Sequence, residues 1–296
     1  MSDPRDGVPR LPNHIFSPEL SRNTVSIYHD VTNANVDHLA KKEDKEARDA
    51  WHKILRLYTR RELTKPRDRL IALSGIVDYF ARTWSLRSNY LAGLWRHELP
   101  YCLLWYNVNG QANKPAVRPI SYRAPSWSWA AIDGEISSER IMEQDALCIV
   151  QQCYTIPKRD SNPYGEVIKG VLVLQVALRR TTWNPIEGEL FEDGHGVSEG
   201  TFDCRSDHGE IGFVSVDAAE DFSSSTVEVY AAIVAQTSTA LHGIIVAPVT
   251  ASKMMKDANE ISATNLTFRR IGWFVPRFVI EKTGCVHRNK LSILYR

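Results

Sequence analysis

The residues of this 296-residue chain that could do chemistry are few and scattered. His97 and Glu98 are adjacent, but neighbouring positions on a helix point about 100° apart, so they read as a surface pair rather than an acid and a base sharing one substrate. Gly194-His195-Gly196, with Asp193, Asp207 and His208, offers nitrogen and oxygen donors. Their spacing matches no metal site, so the segment reads as a solvated loop and no metal is expected. Cys102 and Ser74 carry nucleophilic atoms, yet a nucleophile needs a base and an orienting group in space, and nothing in the sequence places either beside them. Arg60-Arg61-Glu62 and Arg67-Asp68-Arg69 form either an ion-paired, solvated turn or an arginine cluster for a phosphate or carboxylate.

Aromatic residues are the more distinctive feature. The tryptophans, eight in all, concentrate between residues 51 and 129. Trp84, Tyr90, Trp95, Trp105, Trp127 and Trp129 supply either core or the wall of an apolar pocket. The candidate ligand pocket is Trp95, Trp105, Trp127 and Trp129, with Arg123 and Asp133 as its polar groups. In the stretch 118–136, spacing two between Trp127 and Trp129 predicts a strand with both indoles on one face, the small Ser126, Ser128 and Ala130 on the other, and a turn at Asp133-Gly134. No glycine-rich phosphate loop, zinc-protease helix, serine-hydrolase elbow or calcium loop occurs, so no cofactor is expected and the catalytic residues, if any, stay unassigned.

The elements that must position these residues divide at that stretch. Residues 1–43 are polar and proline-containing and read as an extended or partly disordered arm. A helical part follows over 44–110. Ala47, Trp51, Ile54, Leu55 and Tyr58 make one stripe at three-to-four spacing. Thr64 and Pro66 are expected to start a second helix carrying Leu70, Ile71, Leu73, Ile76, Val77 and Phe80, which Ser74-Gly75 either ends early or brings close to a neighbour. Tyr90 to Val108 reads as a third helix, kinked or split at Pro100. Residues 111–296 then carry strand patterns at 147–156, 171–182, 212–216, 225–236, 241–248, 268–275 and 291–295, with 184–209 a loop. The expected fold is α+β: an N-terminal helical segment packed on an antiparallel barrel or sandwich of about six to eight strands, with 44–296 one continuous domain.

Charge narrows the partners. Lys+Arg 36 against Asp+Glu 35 leaves a net charge of +1, no footprint for nucleic acid or an anionic membrane. No long apolar run predicts a membrane span, and no apolar leader follows Met1. The five cysteines include no CxxC pair and read as reduced thiols, so a cytoplasmic protein is expected. Its partner is then a protein or an apolar small molecule.

Several blocks occur in an order that resembles a known family. They are 51–64 (WHKILRLYTRRELT), 66–75 (PRDRLIALSG), 90–95 (YLAGLW), 103–105 (LLW), and 122–130 (YRAPSWSWA) with Asp133-Gly134, followed by 270–274 (RIGWF). Together they resemble the region C-terminal to the HET domain of fungal heterokaryon-incompatibility proteins, over roughly residues 45–296. In that family the HET domain proper, which resembles TIR-type signalling domains, comes first and is linked to cell death after fusion of unlike hyphae. About 45 residues precede the similar region here, so the chain is expected to be the follow-on module alone, and no catalytic residue of the family maps onto it. Three readings follow: a recognition or interaction module of the incompatibility type, a cofactor-free cyclase or pericyclase (Diels-Alderase-like) of fungal terpenoid or polyketide biosynthesis, or a truncated relative without function. The second needs only a shaped apolar pocket and one or two hydrogen-bond donors.

Overall fold

A computed structural model describes residues 33–84, 90–109, 116–138, 146–186, 188–192, 210–219, 227–237, 241–249, 267–276 and 288–295. Helix α1 (Asn33–Thr59) starts inside the segment expected to be an arm; residues 1–32 of that arm lie outside the described residues. Its stripe Ala47, Trp51, Ile54 and Leu55 is buried, as the three-to-four spacing requires. Helix α2 (Arg69–Thr83) follows a short 3-10 turn (Pro66–Asp68), and no side chain caps either. Thr64 is therefore not the cap its position predicted. α2 runs through Ser74-Gly75 without ending, and an added Cβ at Gly75 would meet nothing within 4 Å, so no close contact is made there. Leu70, Leu73, Val77 and Phe80 are buried, whereas Ile71 is exposed, so the helix buries one side only.

The third helix is absent. In its place, β1 (Tyr90–Leu91) and β2 (Leu94–Trp95) form a tight hairpin, two 3-10 turns (Arg96–Glu98 and Tyr101–Leu103) follow, and β3 (Trp105–Asn107) pairs with β4 (Ile136–Ser138). The hairpin turns on Ala92 and Gly93, whose φ angles of 48° and 109° are incompatible with a helix. A Cβ on Gly93 would also lie 2.5 Å from the Trp129 indole nitrogen, so only glycine fits. Tyr90 to Trp105 mimicked a helix because the segment is buried on nearly every side, which leaves periodicity nothing to report.

The Trp127/Trp129 stretch is likewise no strand. Residues 126–128 turn, and Trp129–Ala131 makes one 3-10 turn capped by the Ser128 hydroxyl, which accepts from Ala130 N–H at 3.0 Å. The same hydroxyl donates to Ala92 C=O at 2.5 Å, and the Trp129 indole donates to Gly93 C=O at 2.8 Å. These bonds replace the ladder bonds of a strand.

The rest is an eight-stranded antiparallel sheet of β5 (Ile149–Pro157), β6 (Val167–Trp183), β7 (Glu189–Glu192), β8 (Glu210–Val216), β9 (Val227–Gln236), β10 (Leu241–Pro248), β11 (Phe268–Pro276) and β12 (Arg288–Tyr295). β7 falls inside the expected loop 184–209. The architecture is α+β. The 17-residue β6 is the spine: its first part pairs with β5 and β12, its last part with β7 and β9. Parts of the sheet are buried on both faces. Ile244 and Val246 of β10 join the large core with the helices, while Ile245 and Ala247 join a second core with Trp183, Leu190 and Phe274. The 122–132 segment lies on β6: a Cβ at Gly170 would sit 2.3 Å from Pro125 Cγ.

One buried ion pair joins the irregular segment to the sheet. Arg270 of β11 and Asp217, just after β8, are both 0% exposed and meet through two bonds, Nε to Oδ2 at 2.9 Å and Nη2 to Oδ1 at 3.0 Å. Arg270 also donates to the carbonyls of Leu103 and Trp105, and its guanidinium carbon lies 3.6 Å from the centroid of the Trp105 ring. Burial pulls its pKa below the ordinary arginine value, and Asp217 opposes that pull.

Three variants test this account by urea unfolding. Asp217→Ala is expected to cost about 3–5 kcal/mol, because it strands a buried charge, whereas the double variant Asp217→Leu/Arg270→Met should recover much of that loss. Trp127→Ala, at a side chain only 1% exposed, is expected to cost about 3–5 kcal/mol as a core deletion. A Trp127→Ala protein of unchanged stability would return that indole to the role of a pocket wall.

Candidate functional site

A cleft of about 340 Å³ opens between α1, the 94–105 segment and β4. Its volume is at the low end of the roughly 300–1,000 Å³ typical of small-molecule sites. Trp51, Leu55, Leu94, Trp105, Trp129 and Ile136 give it apolar walls. Asp49, Lys53, Arg56 and Ser137 make the rest of its lining polar, and the groups suited to proton transfer or nucleophilic attack are His52, Glu98, Cys102 and Ser138.

Each of these side chains is placed by a different element. His52 follows the buried Trp51 on α1, so one helical step turns it from the core to the cleft, with its side chain 21% exposed. Glu98 ends the 3-10 turn Arg96–Glu98, and its side chain is 4% exposed. Ser138 ends β4, held in register opposite Trp105 of β3. The histidine lies between the other two. Ser138 Oγ is 3.4 Å from His52 Nδ1, and Glu98 Oε2 is 3.9 Å from His52 Nε2.

Burial sets the electrostatics. Loss of water raises the Glu98 carboxyl pKa to about 8, against a smaller opposing pull from Arg48, so the group is neutral at pH 7. Cys102 lies beside it. Burial, and then the Glu98 charge, push its thiol well above the ordinary value, and its Sγ donates to Trp95 C=O at 3.7 Å. A thiol held protonated in this way is a poor nucleophile. Burial likewise raises Cys148, to about 12, and Cys153. All three described cysteines are free.

The sequence-predicted pocket residues separate into three places. Trp105 and Trp129 line the cleft. Trp95 is in the core, packed against Trp51, Phe80 and Tyr90 with ring centroids 5.1–5.7 Å apart. Trp127 is also core, with its carbonyl accepting from the Trp105 indole at 2.9 Å. Arg123 and Asp133 are tied together: Arg123 donates to Asp133 Oδ1 at 2.8 Å, to Pro66 C=O at 2.8 Å and to Ala130 C=O at 2.6 Å. Neither lies among the lining residues. Beside them the buried Arg69 donates to Gly134 C=O at 2.8 Å and lies 5.3 Å from the Trp129 ring centroid. Burial first, then the like charge of Arg123, pull Arg69 down to about 10. This arginine group holds the 122–134 segment against the start of α2.

The other candidates resolve individually. His97 is exposed while Glu98 is buried, so the surface pair is corrected: the 3-10 turn sends the two in different directions. Ser74 donates to Ile71 C=O at 2.8 Å within its own helix. Arg67 pairs with Asp68, and Arg60 with Glu135, as in a solvated turn, but Arg69 is buried. Asp193, His195, Asp207 and His208 lie outside the described residues. Among the described residues, no group of three or more His, Cys, Asp or Glu side chains could hold a metal ion, and no helix is long and apolar enough to cross a membrane. His52 escaped sequence reading because it sits on the polar side of a helix, and its partner Ser138 is 86 residues away. Comparison with family models, with curated proteins and with solved structures found no match to this chain.

Glu98 makes stability depend on pH in a stated direction. Its folded pKa lies above the unfolded one, so the folded state holds a proton that the unfolded state has lost between about pH 4.5 and about 8. Stability from this group is therefore complete below that window and falls as pH rises through it, by at most about 1.4 kcal/mol per pH unit. Urea unfolding from pH 5 to 8 is expected to show this slope in the wild type and not in Glu98→Gln. Equal slopes would place Glu98 in a wetter site.

Proposed function

We propose that the protein is a cofactor-free enzyme that takes a small, largely apolar molecule into the cleft and acts on it by proton transfer. Cyclisation or isomerisation in fungal natural-product biosynthesis, terpenoid or polyketide, is the expected setting. One observation carries this reading: a buried, neutral carboxylic acid, Glu98, and an imidazole, His52, face the same tryptophan-walled space. An acid kept protonated at pH 7 can donate to a carbonyl or alkene as charge develops, while a neutral imidazole accepts a proton from a neighbouring carbon. Such a pair contributes roughly 10²–10⁴-fold to a rate. Apolar walls keep water from the charged intermediate and hold a flexible substrate in a reactive shape.

The strands serve this site as a scaffold. We read β6 to β11 as a small barrel, a reading supported by β9, which pairs with β10 and also back onto β6.

A second reading is a recognition module of the heterokaryon-incompatibility type, acting without the signalling domain. It is favoured by where the family-like blocks lie: Arg69, Arg123, Trp127, Trp129 and Arg270 are all buried and hold the fold together. On this reading the family-like blocks preserve a scaffold, and the binding surface is carried on it.

The two readings separate in a fungal host. Replacing the gene by a Glu98→Gln or His52→Gln allele is expected to remove one metabolite and accumulate a precursor, isomeric with it for a pure cyclisation, with wild type restoring the product. An unchanged metabolite profile in the full deletion would sink the enzyme reading. If hyphal-fusion outcomes change instead, the recognition module stands.

A further inference from the structure

Glu98 and His52 are not the whole of the cleft's polar set. Ser138 stands on the far side of the imidazole, and both ring nitrogens face a partner. We infer that Ser138 is a nucleophile and that the cleft performs acyl transfer on an ester or thioester of a small apolar acid, with His52 as the base. This rests on the reading of the cleft as a proton-transfer site and names its substrate class and covalent step.

The three groups come from α1, the 96–98 turn and β4, yet they line one space in the order hydroxyl, imidazole, carboxyl. A serine hydroxyl is a weak nucleophile until a base is positioned to take its proton, and the base needs a third group to hold its ring. At 3.4 Å, Ser138 Oγ is beyond a settled hydrogen bond to Nδ1, but such pairs are commonly loose without substrate and tighten when it binds. Glu98 Oε2 stands 3.9 Å from Nε2, too far for a hydrogen bond as it lies, and a small rotation of the ring would let it accept from Nε2–H and leave the Nδ1 lone pair for Ser138. A neutral carboxyl can hold the ring through its acceptor oxygen, and the carboxylate form would in addition stabilise the imidazolium formed in the step.

Ser138 is also well held. Its backbone is paired with Trp105 across the β3–β4 ladder, and Trp105 is fixed in turn by its indole bond to Trp127 C=O and by the Arg270 guanidinium. A nucleophile on a strand end is more precisely placed than one on a loop. The Trp105 and Trp129 walls suit an apolar acyl chain.

In the step, the Ser138 Oγ–H proton passes to His52 Nδ1 as Oγ bonds to the acyl carbon. The bond from that carbon to the alcohol or thiol breaks, and the leaving group departs with the proton from His52. Water, or a hydroxyl on the same acyl chain, then attacks the acyl-serine with His52 again as base. The products are a carboxylic acid in the first case and a lactone in the second, and Ser138 regains its proton in both. No oxidant or reductant is consumed.

An alkyl fluorophosphonate tests this on the full chain, because an activated serine oxygen displaces fluoride from phosphorus and keeps the label. The rate is read by intact mass and the site by peptide mapping. Stoichiometric labelling at Ser138 is expected, absent from Ser138→Ala and slowed about 100-fold or more in His52→Ala. His52→Gln provides the same reading should the alanine variant fold poorly, as judged by circular dichroism. No adduct at Ser138 in the folded wild type overturns the inference, as does labelling equally fast without His52. Either failure leaves the proton-transfer reading to the Glu98→Gln metabolite test.

Discussion

The fold depends on the ion pair between Arg270 and Asp217. Two charges with no exposed surface are costly to bury, and the cost is offset only because every contact around them is specific: two bonds between them, two carbonyls and an indole face for the guanidinium. A bond from Asn107 Nδ2 to the Asp217 carbonyl, at 3.1 Å, and one from Arg270 N–H to Ser126 Oγ, at 3.2 Å, add the β3 strand and the 126–132 segment to the same point. The pair thus specifies where an irregular layer sits on a regular sheet. Hydrophobic contact alone would tolerate a slide of that layer by a residue; directed bonds to Leu103, Trp105 and Ser126 do not. Trp105 is both the roof of this pair and a wall of the cleft, so the register of the core fixes the shape of the site.

How much of this was legible depended on whether a segment has two unlike sides. α1 has one buried and one solvated side, and its spacing disclosed Ala47, Trp51, Ile54 and Leu55. β9 and β10 were visible because short β-branched runs are bounded by turn residues, even where both faces are buried. Residues 90–105 and 122–132 are buried on nearly every side, Arg96 and His97 excepted, so their apolar positions follow no period, and their path is set by hydrogen bonds from Ser128, Trp129 and Arg123 that couple residues 36 or more apart or bind within the loop. Of the candidate site, Trp105 and Trp129 could be named as aromatic walls. Glu98 was seen but placed on the wrong side of the surface, and His52 and Ser138 carried no signal at all, because their meaning lies in a distance across the fold.

The cleft and the arginine cluster illustrate two uses of burial. Around Arg69 and Arg123, low solvent access strengthens bonds to the carbonyls of Pro66, Ala130 and Gly134 and so fastens a loop. At Glu98, low solvent access acts on a carboxyl whose pairing with His52 is as long as 3.9 Å, and the proton stays on. The same physical condition therefore yields structure where donors meet fixed acceptors and reactivity where a titratable group is left facing a space.

β6 has a consequence for how the molecule moves. One uninterrupted strand from Val167 to Trp183 is shared by β5 and β12 at one end and by β7 and β9 at the other, so over residues 170–175 and 181–183 both of its edges are paired. Amides paired in this way on a two-sided central strand are expected to be among the slowest in the protein to exchange with solvent. The cleft shares that rigidity through Trp105, a wall of the site whose carbonyl and ring are held by Arg270 of β11, so a guest meets a surface whose shape is set before it arrives.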